Sequence, residues 1–195
     1  GFNANFAGYK GAYRTLTPAY GPGAGTGFAG GSYGGRGGNT GAADPYGSAE
    51  APTDAGSGGE SNRSNADYAG NGGGLIRIAV AGHAELNGGS FLADGSAGGQ
   101  WAAGGSGGGI FLTCRRFLGG GAIFKANGGN GYYSATYPLL SGGGGGGGRI
   151  AVHYRSGDQD AVCSVGGGLS GVGDGDEGSV RWRVLPAPAT VLLLR

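Results

Sequence analysis

The sequence predicts an all-β chain: a glycine-rich parallel β-solenoid, β-helix-like, with extended N- and C-terminal arms. Three observations lead there. Between Gly72 and Gly168 a glycine run opens three times into a short apolar alternation. Each alternation is followed by a second short strand and more glycine. When the copies are superposed, like residues fall into columns, as stacked units that cannot bury a face alone would require.

The first copy reads Gly72-Gly73-Gly74-Leu75-Ile76-Arg77-Ile78-Ala79-Val80, with Ser90-Phe91-Leu92-Ala93-Asp94-Gly95 as its partner. The second runs Gly107 to Cys114 with Ile123 to Gly128, and the third Gly146 to Tyr154 with Ala161 to Gly166. Ile76, Ile110 and Ile150 form one column. Ile78, Leu112 and Val152 form the next, then Val80, Cys114 and Tyr154. The second strands align Phe91 with Phe124 and Val162, and Ala93 with Ala126 and Ser164. Period-two alternation of β-branched and aromatic residues between Gly and Asn is a strand signal. An antiparallel sandwich of three hairpins shares the alternation, but columns of like residues favour stacking in register.

Around this domain, placed at residues 21–183, the reading sets an N-terminal arm at 1–20 and an apolar strand or tail at 184–195. The arm carries Phe2, Phe6, Tyr9 and Tyr13 and is apolar enough to pack. Residues 21–74 are dense in turn words such as Gly21-Pro22-Gly23 and Asp44-Pro45. They are too long for an ordinary loop and are expected to be ordered, with Tyr33, Tyr46 and Tyr68 as anchors. Tyr132 to Ser141 interrupts the repeat as an insertion, and Ser179 to Val184 reads as one more alternating strand.

Composition narrows the function classes. The chain of 195 residues holds 54 Gly and no Met, with 13% charged residues and a formal charge of +1. Each Gly in regular structure costs roughly 0.5–1 kcal/mol relative to Ala, so these glycines must return something, as turns or as close backbone approach. Lys and Arg are scattered, so no nucleic-acid stripe appears. No apolar run reaches the roughly 18 residues of a membrane span. Little Lys, ten Tyr and abundant Gly, Ser and Asn fit a secreted or surface protein. The start at Gly-Phe-Asn is read as a processed chain or an excised piece.

Several words are distinctive as a set: Gly30-Gly31-Ser32-Tyr33-Gly34-Gly35-Arg36-Gly37-Gly38, Tyr46-Gly47 through Gly59, and the strands opened by Gly-Gly-Gly. Ala126-Asn127-Gly128-Gly129-Asn130-Gly131 and Gly145 to Val152 belong with them. Together they resemble the glycine-rich repeat regions of large secreted and cell-surface proteins, adhesin-like proteins among them. The resemblance covers roughly residues 21–183 and implies an extracellular structural or adhesive role, a β-solenoid-like fold and no enzyme activity.

Candidate sites are few. Asp174, Asp176 and Glu177 sit among glycines, a weak calcium candidate because flexible oxygen-rich loops suit that ion; otherwise no cofactor is expected. His83 and His153 are too isolated for a metal and read as surface residues. Glu85 and Asp94 have no acidic counterparts in the other copies, which argues against sugar hydrolysis. Cys114 and Cys163 allow one disulfide in an oxidising compartment, although the register points Cys114 inward and Cys163 outward. Asn62-Arg63-Ser64 is a glycosylation sequon. Trp101, Trp182 and the loop tyrosines Tyr132, Tyr133 and Tyr137 could stack on sugar rings, although packing in a core or interface is the commoner fate of such rings.

These features lead to an expected function. A non-enzymatic extracellular protein self-assembles into a filament or surface layer by head-to-tail contacts between copies. Thr190, Val191, Leu192, Leu193 and Leu194, with Phe2 and Phe6, supply a strand that adds to a neighbour's sheet edge. The alternative is a carbohydrate- or surface-binding adhesin module. A polyglycine-helix bundle or ice-binding protein is set lower, because Thr is too sparse for a regular face.

Overall fold

The computed structural model describes residues 1–13, 17–61 and 68–187. In chain order its strands are β1 (Phe2–Asn3), β2 (Leu75–Ala79), β3 (His83–Glu85), β4 (Ser90–Leu92), β5 (Gly109–Thr113) and β6 (Arg116–Leu118). There follow β7 (Ala122–Lys125), β8 (Arg149–Tyr154), β9 (Ser156–Gly157), β10 (Ala161–Ser164) and β11 (Ser179–Val184), with one 3-10 turn at Pro138–Leu140. All strand pairings are parallel, in three sheets ordered β2-β5-β8-β11, β1-β4-β7-β10 and β3-β6-β9.

The expected solenoid with arms is not what forms. The strands are gathered into three separate parallel sheets of three or four strands. The glycine runs between them, which a solenoid would use as corners, are instead long extended chains outside any sheet. The reason is steric: a run without Cβ atoms can surround itself with backbone on every side, and a strand cannot. Nor do the first residues stand apart as an arm. β1 joins the second sheet, and residues 8–12 exchange hydrogen bonds with Gly56, Gly59, Ala69 and Gly72.

The sheets follow the alternation. Ile76 faces Ile110, Ile110 faces Ile150, and Val180 of β11 continues the column. Ile78, Leu112, Val152 and Trp182 form the next. In the second sheet the rings of Phe2, Phe91 and Phe124 stack, with centroids 5.5 and 4.7 Å apart. Below them the expected register fails by one residue. Cys163, not Val162, faces Phe124, while Ser164 faces Lys125 and Val162 is 62% exposed. A one-residue slip exchanges the two faces of a strand, and Ala161-Val162-Cys163-Ser164 is too weakly patterned to fix its own face. Phe117 of the third sheet is fully buried against Phe124, Tyr154 and Trp182, closing one core shared by all three sheets.

The glycine runs build the other half of the molecule, and Gly142 to Gly148 lies at its centre. The N–H of Gly143 donates to Phe28 and that of Gly146 to Gly31. Gly144 and Gly147 donate to Gly173 and Asp176, and Gly145 and Gly148 to Gly129 and Ala126. Every third residue therefore meets the same neighbour. The other contacts repeat in threes as well. A Cβ on Gly143 or Gly146 would lie 2.2 or 2.1 Å from the carbonyl oxygen of Gly38 or Gly35. On Gly144 or Gly147 it would meet Gly168 or Val165 at 1.9 or 1.8 Å, and on Gly145 or Gly148, Gly105 or Gly108 at 2.0 or 2.1 Å. Three residues per turn without internal hydrogen bonds is the geometry of an extended polyproline-II-like chain. Six such chains surround this one. The polyglycine bundle that the sparse threonines argued against is what the glycine runs form.

Candidate functional site

The two ends of the sheets offer the first candidate surface. At one end β1, β2 and β3 are edge strands, and at the other β10, β11 and β9. The sheets are staggered there. β1 lies one strand beyond β4 with nothing beside it beyond β2, and a recess of about 320 Å³ lies there, lined by Phe2, Asn3, Ala4, Leu75, Ile76, Arg77 and Ile78. At the opposite end the stagger is reversed: β11 lies one strand beyond β8, while the second sheet stops at β10. Each end thus carries a projecting strand where the other carries a gap. Open parallel edges with unpaired N–H and C=O groups are templates for further pairing.

The strand placed at Thr190 to Leu194 lies outside the described residues, as does the sequon at Asn62. Phe2 is engaged within the chain's own sheet yet remains 54% exposed at its rim, and Phe6 is also exposed. Among the described residues, β1, β2, β10 and β11 are the open edges of the two four-stranded sheets.

The insertion forms the second candidate surface. Hydrogen bonds frame it: Tyr132 N–H to Ala102 O, Gly142 N–H to Tyr132 O, Ser134 N–H to Ser141 Oγ and Tyr137 N–H to Ser134 Oγ. The 3-10 turn is closed by Leu140 and Ser141 N–H bonding back to Tyr137 and Pro138. Trp101, from a different repeat, packs edge-on against Tyr132 and Tyr137 at 5.3 and 5.9 Å. The Tyr133 ring lies against Gly171. The structure thus brings Tyr132 and Tyr137 together around Trp101. Tyr133 and Tyr137 remain half exposed and Leu139 is 92% exposed.

A buried polar cluster has a different role. The Arg149 guanidinium donates from Nε to Tyr46 O, from Nη1 to Ser179 Oγ and from Nη2 to Tyr33 O, and lies 5.5 Å from the Tyr33 ring centroid. Burial pushes the arginine's pKa down. Burial, with Asp54 nearby, pushes the Tyr33 phenol up to about 12, and burial raises Tyr46 as well. Tyr46 Oη is within hydrogen-bond distance of Ala55 O and of Ser57 Oγ. This cluster pins residues 33–57 across the outer face of β8. It explains why the Tyr33 and Tyr46 side chains are anchors, whereas Tyr68 keeps its ring exposed, stacks on Tyr13 at 4.1 Å and is held through its backbone by Tyr13 and Gly99.

The remaining sequence candidates are dispersed. Asp174 accepts a bond from Ser170 N–H within its own turn, and the backbone of Asp176 bonds to Arg36 and Gly147, so these residues are threads of the bundle. Among the described residues no three His, Cys, Asp or Glu side chains converge. Cys114 and Cys163 are free thiols, the first buried and the second half-buried, and burial pushes the Cys163 thiol up to about 11. His153, expected at the surface, is 8% exposed and packs edge-on against Phe111 at 5.0 Å. The outward face of β8 is covered, so both of its faces are buried. A cleft of about 670 Å³ beside Thr113, Arg115, Arg155 and Leu185 was not signalled by any sequence pattern.

No helix among the described residues is long and apolar enough to cross a membrane. No protein-family model matches the chain, and comparison with curated proteins and with solved structures found no match.

Proposed function

We propose that the chain is an extracellular structural protein whose copies join head to tail into a filament or layer. One observation supports this above the others: the complementary stagger of the sheet ends. Placing β11 of one copy beside β2 of the next also brings β10 beside the next copy's β1. Both four-stranded sheets then run on as parallel sheets through the junction, and the recess beside β1 is filled. An assembly of this kind does not close, so it propagates. The glycine bundle supports the same reading from another side. It gives the chain a wall of closely packed backbone, suited to bearing load. The secreted-type composition and the likeness to glycine-rich surface proteins fit this setting.

The test is assembly of the purified chain against a chain lacking residues 1–3, which removes β1 and the step. The full chain should sediment as a concentration-dependent series. Its filaments should repeat at about 19 Å per copy, four strand spacings of about 4.8 Å. The shortened chain should stay monomeric with its circular dichroism intact. A full chain that remains monomeric at millimolar concentration overturns the proposal.

A further inference from the structure

The insertion keeps apolar rings in water although the core stands close by. Fully exposing a large apolar side chain forgoes roughly 1.5–3 kcal/mol of burial, and within this one loop Leu139 does so almost completely and Tyr133 and Tyr137 by about half. The loop is not slack, since six hydrogen bonds within it and to its frame hold its shape. Trp101, which braces it, has φ of +62°. That region costs a residue with a Cβ roughly 1–2 kcal/mol. A strained tryptophan under a rigid loop of exposed rings is a preorganised surface.

Its electrostatics narrow the ligand. Residues 126–148 contain no charged side chain, nor do residues 95–108 that carry Trp101, nor 165–173 beneath Tyr133. The acids that border or touch these stretches already accept backbone N–H groups: Asp174 from Ser170, Asp94 from Asn127, and Glu60 from Ser61 and Ala19. The polar side chains that the insertion and the Trp101 segment carry are hydroxyl and amide: Ser134, Thr136, Asn130, Gln100 and the phenols themselves. Aromatic faces on stretches that carry neutral donors and acceptors match a ligand with an apolar face and a hydroxylated rim.

We propose that Tyr133 and Tyr137, braced by Trp101 and Tyr132, form a binding site for a neutral polysaccharide, whose pyranose rings lie on the exposed aromatic surfaces. The site lies apart from the sheet edges, so the head-to-tail reading stands or falls separately.

Native gel electrophoresis through matrices containing xyloglucan, glucomannan or dextran, with alginate and polygalacturonate as acidic controls, tests it. At least one neutral matrix should retard the chain. Tyr133→Ala and Tyr137→Ala should each weaken the retardation about tenfold, or about 1.4 kcal/mol, while the folded state persists with a cooperative melt because both rings are half exposed. Tyr9→Ala, an exposed tyrosine that lies against Gly21 and away from the insertion, should have no effect. Retardation by acidic matrices alone, by none, or equally in all variants overturns the site. So does a concentration-dependent dimer that the two variants abolish, which would make this face a protein interface.

Discussion

The sheets and the glycine bundle are held together by opposite means. In the sheets, neighbouring chains are spaced by backbone hydrogen bonds in one direction and by side chains in the other. Ile110, Ile150, Phe117 and Phe124 fill the interior at 0–1% exposure. In the bundle both directions are backbone: the central chain donates to three neighbours and presses against three more, with a backbone oxygen as the nearest atom each time. The sheets therefore depend on what their residues carry, and the bundle on what its residues lack. Burial of apolar surface stabilises the first. Satisfied hydrogen bonds at close approach stabilise the second, each contributing about 1 kcal/mol net, against the larger entropy cost of ordering glycine.

The largest expected effect comes from adding atoms to the bundle. Gly145→Val places a branched side chain where a single Cβ already lies 2.0 Å from a carbonyl oxygen. Neighbours on six sides leave no room to yield, so the variant should fail to give a cooperative thermal transition. Next is removal of atoms from the sheets. Phe124→Ala deletes a fully buried ring stacked between Phe91 and the Phe117 side of the core. It should cost about 3–5 kcal/mol in denaturant unfolding. If Gly145→Val were the milder of the two, the backbone-packed picture of the bundle would be wrong.

A smaller effect is expected from alkali. The phenols of Tyr33 and Tyr46 are raised in the folded chain and ordinary in the unfolded one. The unfolded chain thus loses protons first as pH climbs past about 10. Stability from this cluster should be intact below pH 10 and fall between pH 10 and about 12, as Tyr33 reaches its folded value. Melting temperatures that stay level across that window, or a Tyr33→Phe, Tyr46→Phe double variant with the same decline, would dissociate the cluster from the effect.

The smallest effects are two controls on the sheet side, a turn glycine outside the bundle and an exposed strand residue. Gly82, with nothing within 4 Å and no positive φ, should accept Ala with a gain of up to about 1 kcal/mol. Val162→Ser, on the exposed face of β10, should stay within about 0.5 kcal/mol. A large loss at Val162 would restore the register in which it, rather than Cys163, lies under Phe124.

The same contrast decides what was legible beforehand. The columns of Ile76, Ile110 and Ile150 were readable because a strand writes its period of two into alternating side chains. A glycine chain with a period of three writes nothing, since all three faces carry hydrogen, and so the bundle left only its composition. β3, β6 and β9 are two or three residues long and show no pattern of their own. β11 was visible as a strand, but its place beside β8 depends on a crossover from Ser164 through the bundle. The tyrosines of the insertion were identifiable as a surface. Trp101, 31 residues before Tyr132, was not visibly their neighbour, and only its positive φ marks it as unusual.

The threefold repetition along Gly143 to Gly148 constrains how such a chain can change length. Losing or gaining three residues inside a glycine run advances it by one full turn, and every later residue still points at the partner it had. Losing one rotates all that follow by about 120° and delivers each N–H to the wrong neighbour. In the strands the tolerated step is two. Descendants of this sequence should therefore differ in length by threes within the glycine runs and by twos within the strands.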